Sequence, residues 1–227
     1  MKSRIKKLLL KRFPSTVLLK AWLVALRNSM GAVRESYSQT GEDRIVEQLL
    51  EKEKITSRFY IDVGANHPSK LSNTYRMYRN GFSGLTIEPN QSLLRLHRIF
   101  RKRDMQLGIG CGDVPALLKF QHATSHVLSG FQNDDLKTSD FRGTEFIPVL
   151  PLDLVTAGLD IEEITVLSID VEGYDTHVVS GASQTLRKTR IVVIEADAGD
   201  GEMLPLFESA GFVIVERTKH NIVFLRK

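Results

Sequence analysis

Two short segments concentrate the side chains able to do chemistry. One is Asp62-Val63-Gly64-Ala65-Asn66, which ends an apolar run and is followed about 25 residues later by Glu88, at the end of the next such run. The other is Asp170-Val171-Glu172-Gly173-Tyr174-Asp175, three acids within six residues after a third apolar run. A glycine just beyond a first strand lets backbone approach a ligand closely, and an acid ending the second can accept both hydroxyls of a ribose. Singly, Asp62 also reads as a strand-end cap and Glu88 as a surface acid before Pro89; together, at this spacing, they favour a nucleoside-containing cofactor. Only one glycine is present, so the three-glycine fingerprint that packs a pyrophosphate against a helix is missing and dinucleotides are disfavoured.

S-adenosylmethionine carries ribose and adenine without phosphate, and its sulfonium and ammonium suit carboxylates such as Asp62 and Asp170. Gly110-Cys111-Gly112-Asp113, read as the end of a third strand, would lie at the adenine edge, where Asp113 accepts from the exocyclic amine or serves as an ordinary turn acid. Cys111 reads as a small buried apolar residue. Like charges clustered in a cleft are costly unless a cation or a proton-transfer task offsets them. If the strand persists, alternation points Asp170 and Glu172 the same way, toward a sulfonium, a substrate hydroxyl or a divalent metal. No His/Cys set stands at metal-ligand spacing, and isolated carboxylates hold a hard cation weakly, so a metal is not indicated. His67 and His177 are the histidines best placed for base catalysis, with solvated loop positions as the alternative.

These residues need a scaffold, and the chain is long enough to build one. Its 227 residues, 42% hydrophobic and 26% charged, fit one domain with an appendage and exclude disorder. A single cysteine rules out an intrachain disulfide. Residues 1–34 hold nine Lys/Arg and no acid; subtracting these from the net +4 leaves −5 for the remainder. A slightly acidic body with a basic arm argues against a nucleic-acid partner. Within the arm, Lys11, Arg12 and Lys20 break up the apolar runs, against both a membrane-spanning helix and a secretory signal, which places the protein in the cytoplasm. A basic amphipathic helix remains. It suits packing on the domain or on a second copy as a homodimer, or peripheral contact with an anionic membrane through Trp22. Loss of residues 1–34 is expected to spare activity.

Residues 35–227 read as one α/β domain with an insertion at about 114–164. Apolar runs at Phe59–Ile61, Gly84–Ile87, Met105–Ile109, Thr165–Ile169, Ile191–Ile194, Val213–Val215 and Ile222–Leu225 predict seven strands, mainly parallel, the last one antiparallel. Helices are expected around Asn73–Arg79, stopped by Asn80-Gly81, and over Gln91–Arg103. The insertion, with a Leu117–Phe120 strand and a polar stretch from Asp134 to Gly143, walls a pocket beyond the strand ends together with the segment before Arg58.

Four motifs in order, Ser38-Gln39 with Gly41-Glu42-Asp43, the Asp62–Asn66 loop, Glu88-Pro89-Asn90, and Ile169–Asp175, resemble the FkbM-type S-adenosylmethionine-dependent methyltransferases over roughly Tyr37–Ala196. The resemblance implies the class I methyltransferase fold, a Rossmann-like three-layer sandwich on a seven-stranded sheet. It also implies methyl transfer to a hydroxyl of a sugar, glycan or small secondary metabolite. Carried over by position, Asp62, Gly64, Ala65, Asn66 and Glu88 contact the cofactor and Asp170 lies near its methionine end. One departure is that His67-Pro68-Ser69 stands where many members have a glycine-containing turn. Pro68 delays the next helix to Ser69 or Ser72 as cap and brings Ser72-Asn73-Thr74 near the cofactor. Gln39 and Asn73, with His177, are expected to meet the acceptor, and Ser38 to cap a lid helix. The expected order for the general base is Asp170 or Glu172, then His67, then His177. The rival readings are an inactive binding module tethered by the arm, and a nicotinamide-dependent oxidoreductase, which lacks its glycines and its Tyr-x-x-x-Lys pair here.

Overall fold

The structure, a computed structural model, describes residues 16–32, 34–123, 129–131, 141–195 and 200–227, with side chains from Leu18 onward and, in the last stretch, from Met203. Residues 1–15 of the basic arm, and most of the polar stretch from Asp134 within the insertion, lie outside the described residues. The elements open with α1 (Thr16–Met30), α2 (Glu42–Lys52), β1 (Phe59–Val63), α3 (Tyr75–Arg79), β2 (Ser83–Ile87), α4 (Gln91–Phe100) and β3 (Met105–Leu107). Next come β4 (Gly110–Gly112) and, from the insertion, β5 (Ala116–Ala123) and β6 (Phe141–Pro151). There follow α5 (Leu152–Ala157), β7 (Ile164–Ile169), α6 (Asp175–Ser180), α7 (Ser183–Lys188), β8 (Thr189–Glu195), α8 (Asp200–Ser209), β9 (Phe212–Arg217) and β10 (Asn221–Arg226).

The central strands, near-continuously apolar, are buried on both faces, as a parallel sheet between helix layers requires, while the edge strands β3 and β9 are partly or largely exposed. The strands pair in the order β3-β2-β1-β7-β8-β10-β9, with β10 antiparallel to both β8 and β9. This is the seven-stranded, mainly parallel three-layer sandwich expected of the class I methyltransferase fold. Alternation sorts the strand side chains between two cores. Ile61, Val63, Ile87, Ile169 and Ile194 meet Leu152, Val178 and Phe207 on one face; Tyr60, Val166 and Val193 meet Val46, Leu49 and Met77 on the other.

Helix boundaries follow local chemistry. Asn90 accepts from the Ser92 amide and starts α4, while Ser72 Oγ accepts from the Tyr75 amide at the start of α3. Gly81, at φ 90°, ends the turn after α3.

Two expectations are corrected. Gly110–Gly112 is not the tail of the third strand but a separate strand of a second sheet, order β4-β6-β5. The insertion is a β5–β6 antiparallel hairpin, and after Pro151 the chain has already rejoined the domain, because Leu152 is fully buried in the main core. The arm also joins the domain from Thr16 onward. Ala21 is buried against Leu93 and Leu96 of α4, and the half-buried Trp22 packs on Phe100 with centroids 6.2 Å apart, which is the packing on the domain that the sequence offered as one alternative. Among the described residues no helix is long and apolar enough to cross a membrane.

Candidate active site

Register brings the motif residues together. Val63 pairs with Ile87 on one side and Ile169 on the other, and Ile169 pairs with Ile194. The next residues, Gly64, Glu88, Asp170 and Glu195, therefore stand in one row at the carboxyl edge of the sheet, where open α/β sheets bind ligands. Gly64 leaves β1 at φ 75° and Asn66 follows at φ 46°, both left-handed. The turn is held through Asn66. Its amide donates to Glu88 Oε2 (2.7 Å) and its carbonyl accepts from His97 Nε2 (2.9 Å), while the Asn90 amide donates to Glu88 Oε1 (2.7 Å).

Glu88 is only 5% exposed, and burial pushes its carboxyl up to about 7 despite the two amides that lower it. The folded chain thus holds this proton more tightly than the unfolded one. The associated stability is complete below the ordinary glutamate range and is lost as pH rises through about 7. A ribose diol donates to the carboxylate form. If it binds there, affinity for S-adenosylhomocysteine should rise about tenfold between roughly pH 6 and pH 8, because the ionised fraction rises by that factor. Calorimetric titration across this range checks it, and Glu88→Gln should flatten the profile.

One continuous cleft opens over the row. Its inner part is lined by Glu88, Ile109, Gly110, Cys111, Phe120 and Phe131, its outer part by Gln39, Asp62, Asn73, Ser168 and Glu195; Gly64, Asn66, Asp170 and Glu172 line both. Phe131 arrives from the insertion. Gly130 exchanges backbone bonds with Gln121 of β5 (2.9 and 3.2 Å), and the Phe131 ring then packs on Phe120 and Tyr174. Ala65 and Lys70 complete the outer wall.

Nine of the residues singled out by sequence thus share one cleft: Gln39, Asp62, Gly64, Ala65, Asn66, Asn73, Glu88, Asp170 and Glu172. The reason given for pairing Asp170 with Glu172 does not hold, because β7 ends at Ile169. Glu172 occupies a left-handed turn (φ 54°) before Gly173 (φ 87°), fastened by the Asp175 carboxylate accepting from the Val171 and Gly173 amides. Ser38 does cap α2, accepting from the Gly41 and Asp43 amides.

Three residues stand elsewhere. Asp113 and His177 face each other across 3.4 Å, both more than 40% exposed, and His177 stacks on Tyr174; neither is among the cleft-lining residues. The adenine-edge role of Asp113 and the acceptor role of His177 are corrected accordingly, since β4 carries Asp113 past the cleft. His67 is 2% exposed. Its Nδ1 accepts from the Ser69 and Lys70 amides and its Nε2 donates to the Ala21 carbonyl (2.9 Å), so both ring nitrogens serve structure and a base role is not supported.

Sequence reasoning missed Arg101, which is fully buried behind the glycine loop. Its guanidinium meets Asp62 Oδ2 at 3.3 Å and Asp104 Oδ2 at 2.7 Å and donates to Thr74 Oγ1, which in turn donates to Asp62. Tyr60 completes the set by donating to Asp104 (2.7 Å) while its ring lies under the guanidinium. Burial holds the Asp62 carboxyl above its ordinary range even with Arg101 beside it. An arginine ending an amphipathic helix reads as a solvated C-terminal cation, so no local signal marks this one. Among the described residues, no group of three or more His, Cys, Asp or Glu side chains is arranged to hold a metal ion.

No curated protein matches the chain. Among solved structures, methyltransferase FkbM from Methylobacillus flagellatus KT aligns with TM-score 0.49 at 16% identity, over 79% of this chain and 47% of that one, so the chain spans about half its length. Magnesium protoporphyrin IX methyltransferase from Synechocystis PCC 6803, solved with bound SAM, aligns with TM-score 0.48 at 11% identity over 98% and 97% of the two chains. A TehB-like SAM-dependent methyltransferase from Corynebacterium glutamicum gives 0.44, 12%, 92% and 97%. The methyltransferase FkbM domain profile matches residues 62–214, from the acid of the glycine loop to the edge strand β9, and the chain belongs to that family.

Proposed function

We propose that this chain transfers a methyl group from S-adenosylmethionine to a hydroxyl of a sugar, glycan or small metabolite. The observation that carries the reading is the level row of Gly64, Glu88 and Asp170, with a buried carboxylate facing the inner cleft and no cation paired to it among the described residues.

The cleft fits the cofactor in three respects. Glu88 offers a diol acceptor flanked by the apolar Ile109 and by Phe131, a slot for a flat heterocycle. Asn66 Oδ1 is buried in the cleft wall with no hydrogen-bond partner among the described residues, an acceptor awaiting a donor. The outer carboxylates suit a cationic end, while a single loop glycine gives no pyrophosphate cradle. When bound, S-adenosylmethionine supplies an electrophilic methyl group on a good leaving group. The protein's tasks are alignment and exclusion of water. Asp170 and Glu172, shared by both parts of the cleft, are placed to accept the acceptor hydroxyl proton on a carboxylate oxygen.

Calorimetric titration with S-adenosylhomocysteine tests the cofactor site, with NAD as control. Micromolar binding that Glu88→Ala weakens supports the reading; binding of NAD instead would move it to an oxidoreductase, and binding of neither to an inactive module. Once an acceptor is found, Asp170→Asn or Glu172→Gln should lower turnover about 10²- to 10⁴-fold, and Glu172→Gln should do so while leaving S-adenosylhomocysteine affinity within a few-fold. Unchanged turnover in both would exclude a carboxylate base.

A further inference from the structure

The middle of the loop from Asn66 to Ser72 is fastened by a helix outside the matched family region. The loop contains no glycine, yet Asn66 and Leu71 sit at φ 46° and 54°, left-handed conformations that the bulky Leu71 in particular adopts only where the surroundings enforce them. Asn66 is held by Glu88 and His97, and the Ser72 amide next to Leu71 donates to the Tyr37 carbonyl; between them the loop is fastened by α1. Asn28 Nδ2 donates to both the Ser69 carbonyl (2.8 Å) and Ser69 Oγ (3.1 Å), and His67 Nε2 donates to the Ala21 carbonyl inside the helix (2.9 Å). Asn28, His67 and Ser69 are all at least 98% buried. Leu18, Ala21, Ala25 and Asn28 repeat at helical spacing, and Ala21 and Ala25 are the buried small residues that let α1 lie this close. The far end of the helix is tied as well, since Arg79 donates to the Asn28 and Gly31 carbonyls (2.9 and 3.1 Å).

We infer that α1 is a clamp on the cofactor loop, with Asn28 and His67 as positioning residues. They act through the backbone of Asn66–Ser72, whose Asn66, Leu71 and Ser72 line the cleft. The clamp makes the N-terminal helix indispensable where the charge pattern suggests a removable arm. This inference rests on the cofactor reading above. Coupling between a helix and a ligand is reciprocal, so a cofactor that needs the clamped loop must in turn stabilise the clamp.

Hydrogen exchange and calorimetry on the full chain test it, with S-adenosylhomocysteine as probe. Binding to the unmodified protein should slow amide exchange in Thr16–Met30, a readout that a merely structural helix would not move. Asn28→Ala should weaken binding about tenfold or more, as expected when a supporting contact is lost and the loop shifts, whereas Leu23→Ala, on the exposed side of α1, should leave it unchanged. If the ligand binds and exchange in α1 is unaltered, or if a folded Asn28→Ala binds within twofold of the parent, the clamp is refuted while the cofactor site stands. If the folded parent does not bind the ligand at all, both the cofactor reading and the clamp fall. The exchange measurement needs no variant and decides the matter even if Asn28→Ala does not fold.

Discussion

Replacing Gly64 with alanine should abolish measurable S-adenosylhomocysteine binding and destabilise the fold by about 3 kcal/mol or more, the sum of left-handed strain and a backbone clash. The added Cβ would fall 1.8 Å from the Asp170 carbonyl oxygen and 3.1 Å from Val171 Cγ1, at a φ of 75° that alanine resists. The obstacle is main chain, so no rotamer change relieves it. Either the end of β1 or the end of β7 must move, and the row of Gly64, Glu88 and Asp170 loses its level. Denaturant unfolding and calorimetry read the two effects separately. Gly158→Ala, with open space around its Cβ and an ordinary φ, is the matched control and should change neither. A Gly64→Ala protein that binds the ligand like its parent would show that the loop has room the structure does not display.

The second large effect is expected behind the loop. Arg101→Met retains most of the side-chain volume but leaves Asp62 and Asp104 buried without a cation, and breaking a buried pair in this way costs about 3–5 kcal/mol. The sign of the pH dependence follows from Asp62. Burial already raises its carboxyl above the ordinary range, and without the guanidinium nothing of like strength opposes that rise. Protonation of Asp62 removes the uncompensated charge, so the loss of stability should be largest near neutral pH and shrink as pH falls toward the aspartate range. Denaturant midpoints at several pH values check this. Adding Asp62→Asn to Arg101→Met should recover part of the loss, and a deficit independent of pH and of Asp62 would mean that packing, not charge, is what Arg101 supplies.

The contrast between these two sites shows what the sequence could convey. Gly64 was legible because its significance is local: a glycine after an apolar run that ends in Asp62. The seven strands were legible for the same reason, since each buried run is apolar from end to end and stops at a polar or glycine residue. Arg101 was not, because its partners Asp62 and Tyr60 lie about 40 residues away and meet it only after β1 and α4 have packed. His67 was misread for a similar cause. A loop histidine beside a ligand motif suggests a base, and the group that occupies its Nε2 is a backbone carbonyl on a helix set apart by its charge. The alternation argument for Asp170 and Glu172 rested on a wrong geometry, because a left-handed turn, not strand periodicity, brings both to the cleft.

Cys111 gives the chain an experimental handle. It is the only cysteine, it is 2% exposed on β4 at the floor of the inner cleft, and burial pushes its thiol up to about 12, so almost none is thiolate at neutral pH. The folded parent protein should therefore react only slowly with maleimides. Its slow labelling times the opening of the structure, and a single cysteine added at an exposed site such as Leu23 or Leu117 becomes the one fast-reacting position for a fluorophore or spin label, with little background to remove.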